Sequence, residues 1–306
     1  MGTSRIVKEI RRNKYLYILM LPGLSFLLVF SYLPIFGYLL AFKRYSLAKG
    51  ILGSKWVGFA NFKFFFEGND WILVTTNTIV LNLLFILLGI GFSVILALLL
   101  NEMGSLWVKR IAQSFIFLPY FVSWLVVNYM IQAFLDTRDG IVNNLLAVMG
   151  SQRINFFGMP ELWRGLLVIL YIWKFAGYYS IIFLAAITII NPEYYDCAIV
   201  DGASRLQQIR HITLPLMMPT ITVILFLSLG RIFYGDFGMI YGIVGDNSLL
   251  FSTTDVIDTY CYRALRVFGD FSKSSAVTLY QAAMGVVTVV LFNWLIKKIQ
   301  PEFRMF

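Results

Sequence analysis

Apolar runs long enough to cross a membrane alternate with short polar breaks along the whole chain. The runs cover 15–42, 72–100, 111–135, 165–190, 220–244 and 274–296. At about 1.5 Å of rise per residue, each can bridge a hydrocarbon core of about 30 Å. The pattern predicts an all-α integral membrane protein with six transmembrane helices, one membrane domain over 15–296, and polar tails at 1–14 and 297–306. The first run is too long for the apolar core of a signal peptide and lacks a small-residue cleavage site, so it reads as an uncleaved helix that Pro22 and Pro34 kink. Pro119 breaks the third run. Between the first two runs, glycines at 50, 53, 58 and 68 interrupt any long helix. The aromatics Trp56, Phe59, Phe62, Phe64, Phe65 and Phe66 there predict a segment lying along the outer interface.

One polar segment, 191–219, carries helix punctuation of its own (NPEYYDCAIVDGASRLQQIRHITLPLMMP). Asn191 and Pro192 form a helix start, with a side-chain cap followed by a proline that gives up an amide orphaned in any case. Glu193 lies in the first turn, where the helix dipole favours an acid. Gly202 is placed to end that helix in the left-handed conformation. Ser204 caps a second short helix, which is expected to stop before Pro215.

Composition agrees with the pattern. The 306 residues are 59% hydrophobic and 13% charged, whereas soluble domains run near half and a quarter. The net charge of +9 is spread over loops and tails. It reads as topology and contact with anionic lipid headgroups, and no nucleic-acid-reading module is present. Basic residues crowd both ends (Arg5, Lys8, Arg11, Arg12 and Lys14; Lys297, Lys298 and Arg304), which puts both termini in the cytoplasm. The outer loops are longer and hold most of the acids. The segment 191–219 then falls inside. Cys197 and Cys261 fall on opposite sides, so no disulfide is expected, and the single histidine, His211, supports neither a metal site nor a His-based triad.

Three ionisable residues fall in the predicted spans: Lys174, Arg231 and Asp236. Charge in a bilayer is costly, so such groups face a bundle interior or a water-filled path. Lys174 and Asp236 also sit where they could snorkel from helix ends. Arg231 lies deeper, and two roles fit it: pairing with Asp236, or attracting an anionic substrate. Tyr178, Tyr234 and neighbouring aromatics could line a sugar path, since aromatic faces stack on the apolar faces of sugar rings. No phosphate-cradling glycine loop is present, so if transport is driven its energy comes from another subunit, and no cofactor is expected on this chain. An ion-coupled secondary transporter of sugars is the alternative. It calls for coupling-ion sites, such as those built from broken helices or in-span acids, and for an internal repeat; neither such a site nor a repeat is evident in the sequence.

The central segment resembles the loop motif of permease subunits of binding-protein-dependent ATP-binding-cassette importers. Asp196-Cys197-Ala198, three residues, Gly202, nine residues, then Ile212-Thr213-Leu214-Pro215 follows the family form Glu-Ala-Ala, three residues, Gly, nine residues, Ile-x-Leu-Pro. Asp196 and Cys197 depart from that form, and the departures bear on the strength of the contact. Stretches such as LPGLSFLLVFSYLPIFGYLLAFKRY, FLPYFVSWLVV, INFFGMPELW and IWKFAGYYSIIFLAAI are similar to the oligosaccharide and polysaccharide branch of the maltose-type permeases, without the large extra external domain. The resemblance implies a type I importer fold in a bacterial inner membrane. It implies a second permease, two ATPase subunits, an external solute-binding protein and an oligosaccharide substrate, with acidic alginate or pectin pieces among those of the branch. It also implies that Glu193, Tyr194, Tyr195, Asp196, Cys197, Ala198, Asp201, Gly202, Ala203, Ile212, Leu214 and Pro215 form a coupling loop docked on an ATPase.

Overall fold

The computed structural model describes Glu9 and residues 11–299, so the greater part of both expected tails, including Arg5, Lys8 and Arg304, lies outside the described residues. The described chain is predominantly helical. Its long helices are α1 (Lys14–Phe42), α2 (Asp70–Asn101), α5 (Pro160–Thr188), α7 (Arg205–Leu229) and α10 (Phe271–Ile299). A bent pair, α3 (Leu106–Phe117) and α4 (Trp124–Leu135), accounts for the sixth span. The shorter helices α6 (Glu193–Val200), α8 (Phe237–Val244) and α9 (Ile257–Phe268) lie between them.

The contacts of the described residues group into two compact units. One takes in the chain up to Gly68 together with Cys261–Tyr280; the other takes in Asn69–Tyr260 and the chain from Gln281. In the first unit, α1 buries none of its most apolar stretch, as a helix facing lipid or another subunit would. Pro22 lies inside it, and a π-helical turn at Leu28–Tyr32 precedes a tight 3-10 stretch at Leu33–Phe42 that begins beside Pro34. The aromatic segment that follows forms a two-residue antiparallel ladder, Lys43–Arg44 with Lys55–Trp56. Phe42 stacks on Trp56 at 5.6 Å, and Asn61 Nδ2 donates to the carbonyls of Ala41 and Lys43 at 2.9 Å each.

The second unit is built on α2 and α5, which pack along much of their lengths. Leu81, Phe85, Leu167, Val168, Val127, Ile131, Met239 and Ile240 form its apolar core. Gly177 lets α5 lie against α3, because a Cβ there would overlap the carbonyl of Ile116. Asn77 on α2 pins the chain ahead of α9: its Nδ2 donates to Phe251 O, Ser252 O and Asp255 O at 3.1–3.3 Å, while its Oδ1 accepts from Arg164 at 2.7 Å. Such satisfaction is what buried polar groups in an apolar bundle require.

Two predicted boundaries change. The fifth span does not run through 220–244. It begins at Arg205, ends at Leu229, and is followed by a non-helical break before α8. The helix beginning at Arg205 also does not stop before Pro215. A wide π-helical turn at Ile209–Thr213 precedes regular helix from Leu214, and Pro215 occupies its first turn, where its missing amide and its ring are accommodated.

Candidate functional site

Two span breaks and one helical loop hold the residues of interest. The third span bends by 94° between α3 and α4. Pro119 removes an amide there, and Ser123 restarts the helix by accepting from Val126 N at 3.3 Å. The carbonyls left over are gathered by Lys174 from α5. Its ammonium donates to Tyr120 O at 3.1 Å, to Pro119 O at 3.4 Å and to Val122 O, and sits 4.9 Å over the Trp124 ring. Lys174 is 6% exposed, and these donors are spent on backbone. Its place is therefore structural, neither lining the cavity described below nor snorkelling. Tyr178 is likewise displaced from that cavity: it stacks on Tyr120 at 4.7 Å, against the broken span.

The second break, between α7 and α8, opens onto a cavity of about 420 Å³. Arg231, Tyr234, Gly235 and Asp236 of the break line it, with Asn82, Phe85 and Ile86 of α2, Tyr171, Phe175 and Tyr179 of α5, Ser228 of α7 and Phe237 of α8. The size suits a sugar-sized ligand. The aromatic side is ordered: Phe85 and Tyr171 stack at 4.5 Å, and Tyr171 meets Phe175 at 4.7 Å. Asp236 is engaged twice, with Oδ1 capping α8 at Met239 N (2.9 Å) and Oδ2 accepting from Trp124 Nε1 (3.1 Å). Arg231 makes no hydrogen bond or ion pair among the described residues, Asp236 included. Of the two roles open to Arg231, pairing with Asp236 is absent.

The structure thus brings Arg231, Tyr234 and Asp236 together and leaves Lys174 and Tyr178 elsewhere. Sequence reading passed over Asn82, whose Nδ2 donates to Ile232 O at 3.0 Å, and Trp124. Asn82 carried a readable signal, since a polar amide in an apolar span needs a partner; Trp124 did not, among so many aromatics. Sequence reading also found no broken helix apart from the one at Pro119. The second break exists, and protein side chains fill it, as Lys174 fills the first.

The loop at 191–215 folds as its residues dictate. Asn191 Oδ1 accepts from Glu193 N at 3.1 Å. Gly202 has φ +77°, and behind it Ala203 N donates to Ala198 O at 2.8 Å and Gly202 N to Ile199 O at 3.0 Å, the paired bonds of a Schellman end. Ser204 and Gln207 close a reciprocal capping box. Tyr195 and Ala198 turn inward, and the Tyr195 hydroxyl lies 2.9 Å from that of the buried Thr213. Glu193, Asp196, Cys197 and Asp201 are exposed beside an apolar patch of Tyr194, Ile199 and Val200, with Leu206 75% exposed nearby. Ala203, Ile212 and Leu214 are half-buried, whereas Pro215 is exposed.

Comparison with known proteins places this arrangement. Residues 89–304 match the family model described as binding-protein-dependent transport system inner membrane component. The chain is 39% identical over 293 residues to Protein LplB of Bacillus subtilis (strain 168), covering 96% of this chain and 92% of that protein. It is 38% identical to the polygalacturonan/rhamnogalacturonan transport system permease protein YteP of the same organism, covering 98% of this chain and 92% of the relative. A chain in the crystal structure of a bacterial ABC transporter involved in the import of the acidic polysaccharide alginate superposes with a TM-score of 0.87 at 35% identity, over 97% of this chain and 99% of that one. A second structure of a bacterial alginate transporter, in complex with an alginate pentasaccharide-bound periplasmic protein, gives 0.86. On these matches the chain belongs to the family of binding-protein-dependent transport system inner membrane components, as a multi-pass membrane permease of the ATP-binding-cassette type.

Proposed function

We propose that this permease forms half of the pathway of a carbohydrate importer that carries acidic oligosaccharides, and that α6 couples it to a separate ATPase. The observation that carries the substrate reading is Arg231, a guanidinium with no hydrogen bond or ion pair among the described residues, facing a cavity walled by aromatic rings. A uronate sugar offers a carboxylate for the guanidinium and apolar ring faces for Tyr171 and Phe175. The relatives named for polygalacturonan/rhamnogalacturonan and alginate transport point to the same class of ligand.

The coupling reading rests on α6. A short helix rigidly ended on both sides presents Tyr194, Ile199 and Val200 outward, and an exposed apolar patch of this kind marks an interaction surface. Docked in a groove, it transmits a rigid-body push. On this reading the loop and both termini face the cytoplasm. A second permease completes the pathway, two ATPase subunits hold ATP and Mg, and an external solute-binding protein delivers the sugar. The membrane chain itself binds no cofactor and performs no hydrolysis.

The test is transport by the complete importer reconstituted in proteoliposomes, comparing uronate and neutral oligosaccharides of equal length. Arg231→Ala is expected to lower uptake of the uronate at least tenfold more than that of the neutral sugar. Equal loss for both would remove the acidic-sugar reading.

A further inference from the structure

The break between α7 and α8 leaves backbone groups without helical partners, and side chains from three other elements take them up. Besides Asn82 on Ile232 O, Gln281 Nε2 of α10 donates to Phe233 O at 2.8 Å. Asp258 Oδ2 of α9 accepts from Gly235 N at 2.6 Å. The same Oδ2 accepts from Gln281 Nε2 at 2.9 Å, so the two side chains form one unit gripping the break on both sides of Tyr234. Gln281 is 3% exposed, Asp258 is half-buried, and neither lines the cavity. Gly235 makes the approach possible: a Cβ on it would stand 2.9 Å from Val256 Cγ2 and 3.0 Å from Asp258 Oδ2.

Tyr234 lies between the two gripped residues and Arg231 just before them. Hydrogen bonds to a charged acceptor are the stronger kind, and a buried glutamine shared between a carboxylate and a carbonyl has few other orientations. We propose that Asp258 and Gln281 are positioning residues: as a hydrogen-bonded pair they fix the backbone of the break so that Arg231 is held at the cavity. The inference rests on the reading of that cavity as the path of an acidic sugar, and its first measurement does not depend on that reading.

The first measurement is amide hydrogen exchange of residues 230–237 in the assembled importer. Asp258→Ala is expected to speed exchange there by about tenfold or more, as loss of a hydrogen bond to a charged group implies. Asp258→Asn, which keeps an acceptor oxygen, is expected to restore most of the protection. Unchanged exchange in Asp258→Ala overturns the proposal whatever the substrate. The second measurement is the ratio of uronate to neutral oligosaccharide transport. Asp258→Ala is expected to lower that ratio toward the value for Arg231→Ala, mainly through a higher KM for the uronate. If Arg231→Ala lowers the ratio and Asp258→Ala leaves it unchanged, the pair does not position Arg231 and the proposal fails. If exchange rises in Asp258→Ala but Arg231→Ala leaves the ratio unchanged, the acidic-sugar reading fails and, with it, the assignment of the pair to Arg231. Should Asp258→Ala fail to assemble, Gln281→Leu serves for both measurements with the same expected directions.

Discussion

Trp124 and Asp236, far apart in sequence, are joined by a hydrogen bond of 3.1 Å from the indole Nε1 to the carboxylate Oδ2. The bond links the break in the third span to the break that follows the fifth. Trp124 stands in the first turn after one, and Asp236 caps the first turn after the other. Lys174 adds the fourth span by resting on the same indole. Three spans therefore meet at one tryptophan beside the cavity. Replacement by phenylalanine keeps the ring and removes the donor. Trp124→Phe is expected to destabilise the protein by about 1.5–3 kcal/mol, the range for a hydrogen bond to a charged group. Thermal unfolding in detergent measures this, and an unchanged midpoint would show that the two breaks are not linked through this bond.

Lys174 is expected to matter for stability more than for selectivity. Lys174→Met keeps the length of the side chain and strands the carbonyls of Tyr120 and Val122, while Pro119 O keeps its bond from Val122 N. Each buried orphaned carbonyl costs about 1–3 kcal/mol. A lowered unfolding midpoint is expected, with the uronate-to-neutral transport ratio preserved. A changed ratio at unchanged stability would return Lys174 to the pathway.

Gly202 has open space around it and a left-handed φ of +77°. A Cβ there meets no atom within 4 Å, so Gly202→Ala acts through the backbone, at about 1–2 kcal/mol. That strain is expected to unwind the end of α6 and to uncouple ATP hydrolysis from transport, while the protein still inserts. Substrate-stimulated ATPase activity at the parental level in this variant would refute the coupling role.

Asp136 ends α4 with its Oδ1 accepting from Asp139 N at 2.9 Å and Arg138 N at 2.8 Å. The amides of Asp139 and Arg138 hold the carboxyl below its ordinary value of 3.8. A carboxyl depressed in the folded protein stabilises its loop above the unfolded value and loses that contribution as pH falls through the folded one. Exchange at the amides of Arg138 and Asp139, corrected for the intrinsic rate, is expected to accelerate only once the pH falls below 3.8. Asp136→Asn is expected to remove that pH dependence, and an identical profile in the variant would show that Asp136 does not control the turn.

The sequence by itself determined the number and approximate place of the spans, because apolar length is a local property of the chain. It also determined the short helix of the 191–204 segment, since caps, dipole preferences and the left-handed glycine act over a few neighbours, but not the run of the next helix through Pro215. Only the tertiary structure decided where the fifth span ends and which ionisable residue faces the cavity. Arg231 and Lys174 look alike in sequence, each a cation in an apolar run. They part because Lys174 meets carbonyls freed where the third span breaks off, whereas Arg231 falls in a break whose backbone is satisfied by Asn82, Asp258 and Gln281. Those partners lie some tens to well over a hundred positions away, and local pattern carries no information about groups that meet only when the helices pack.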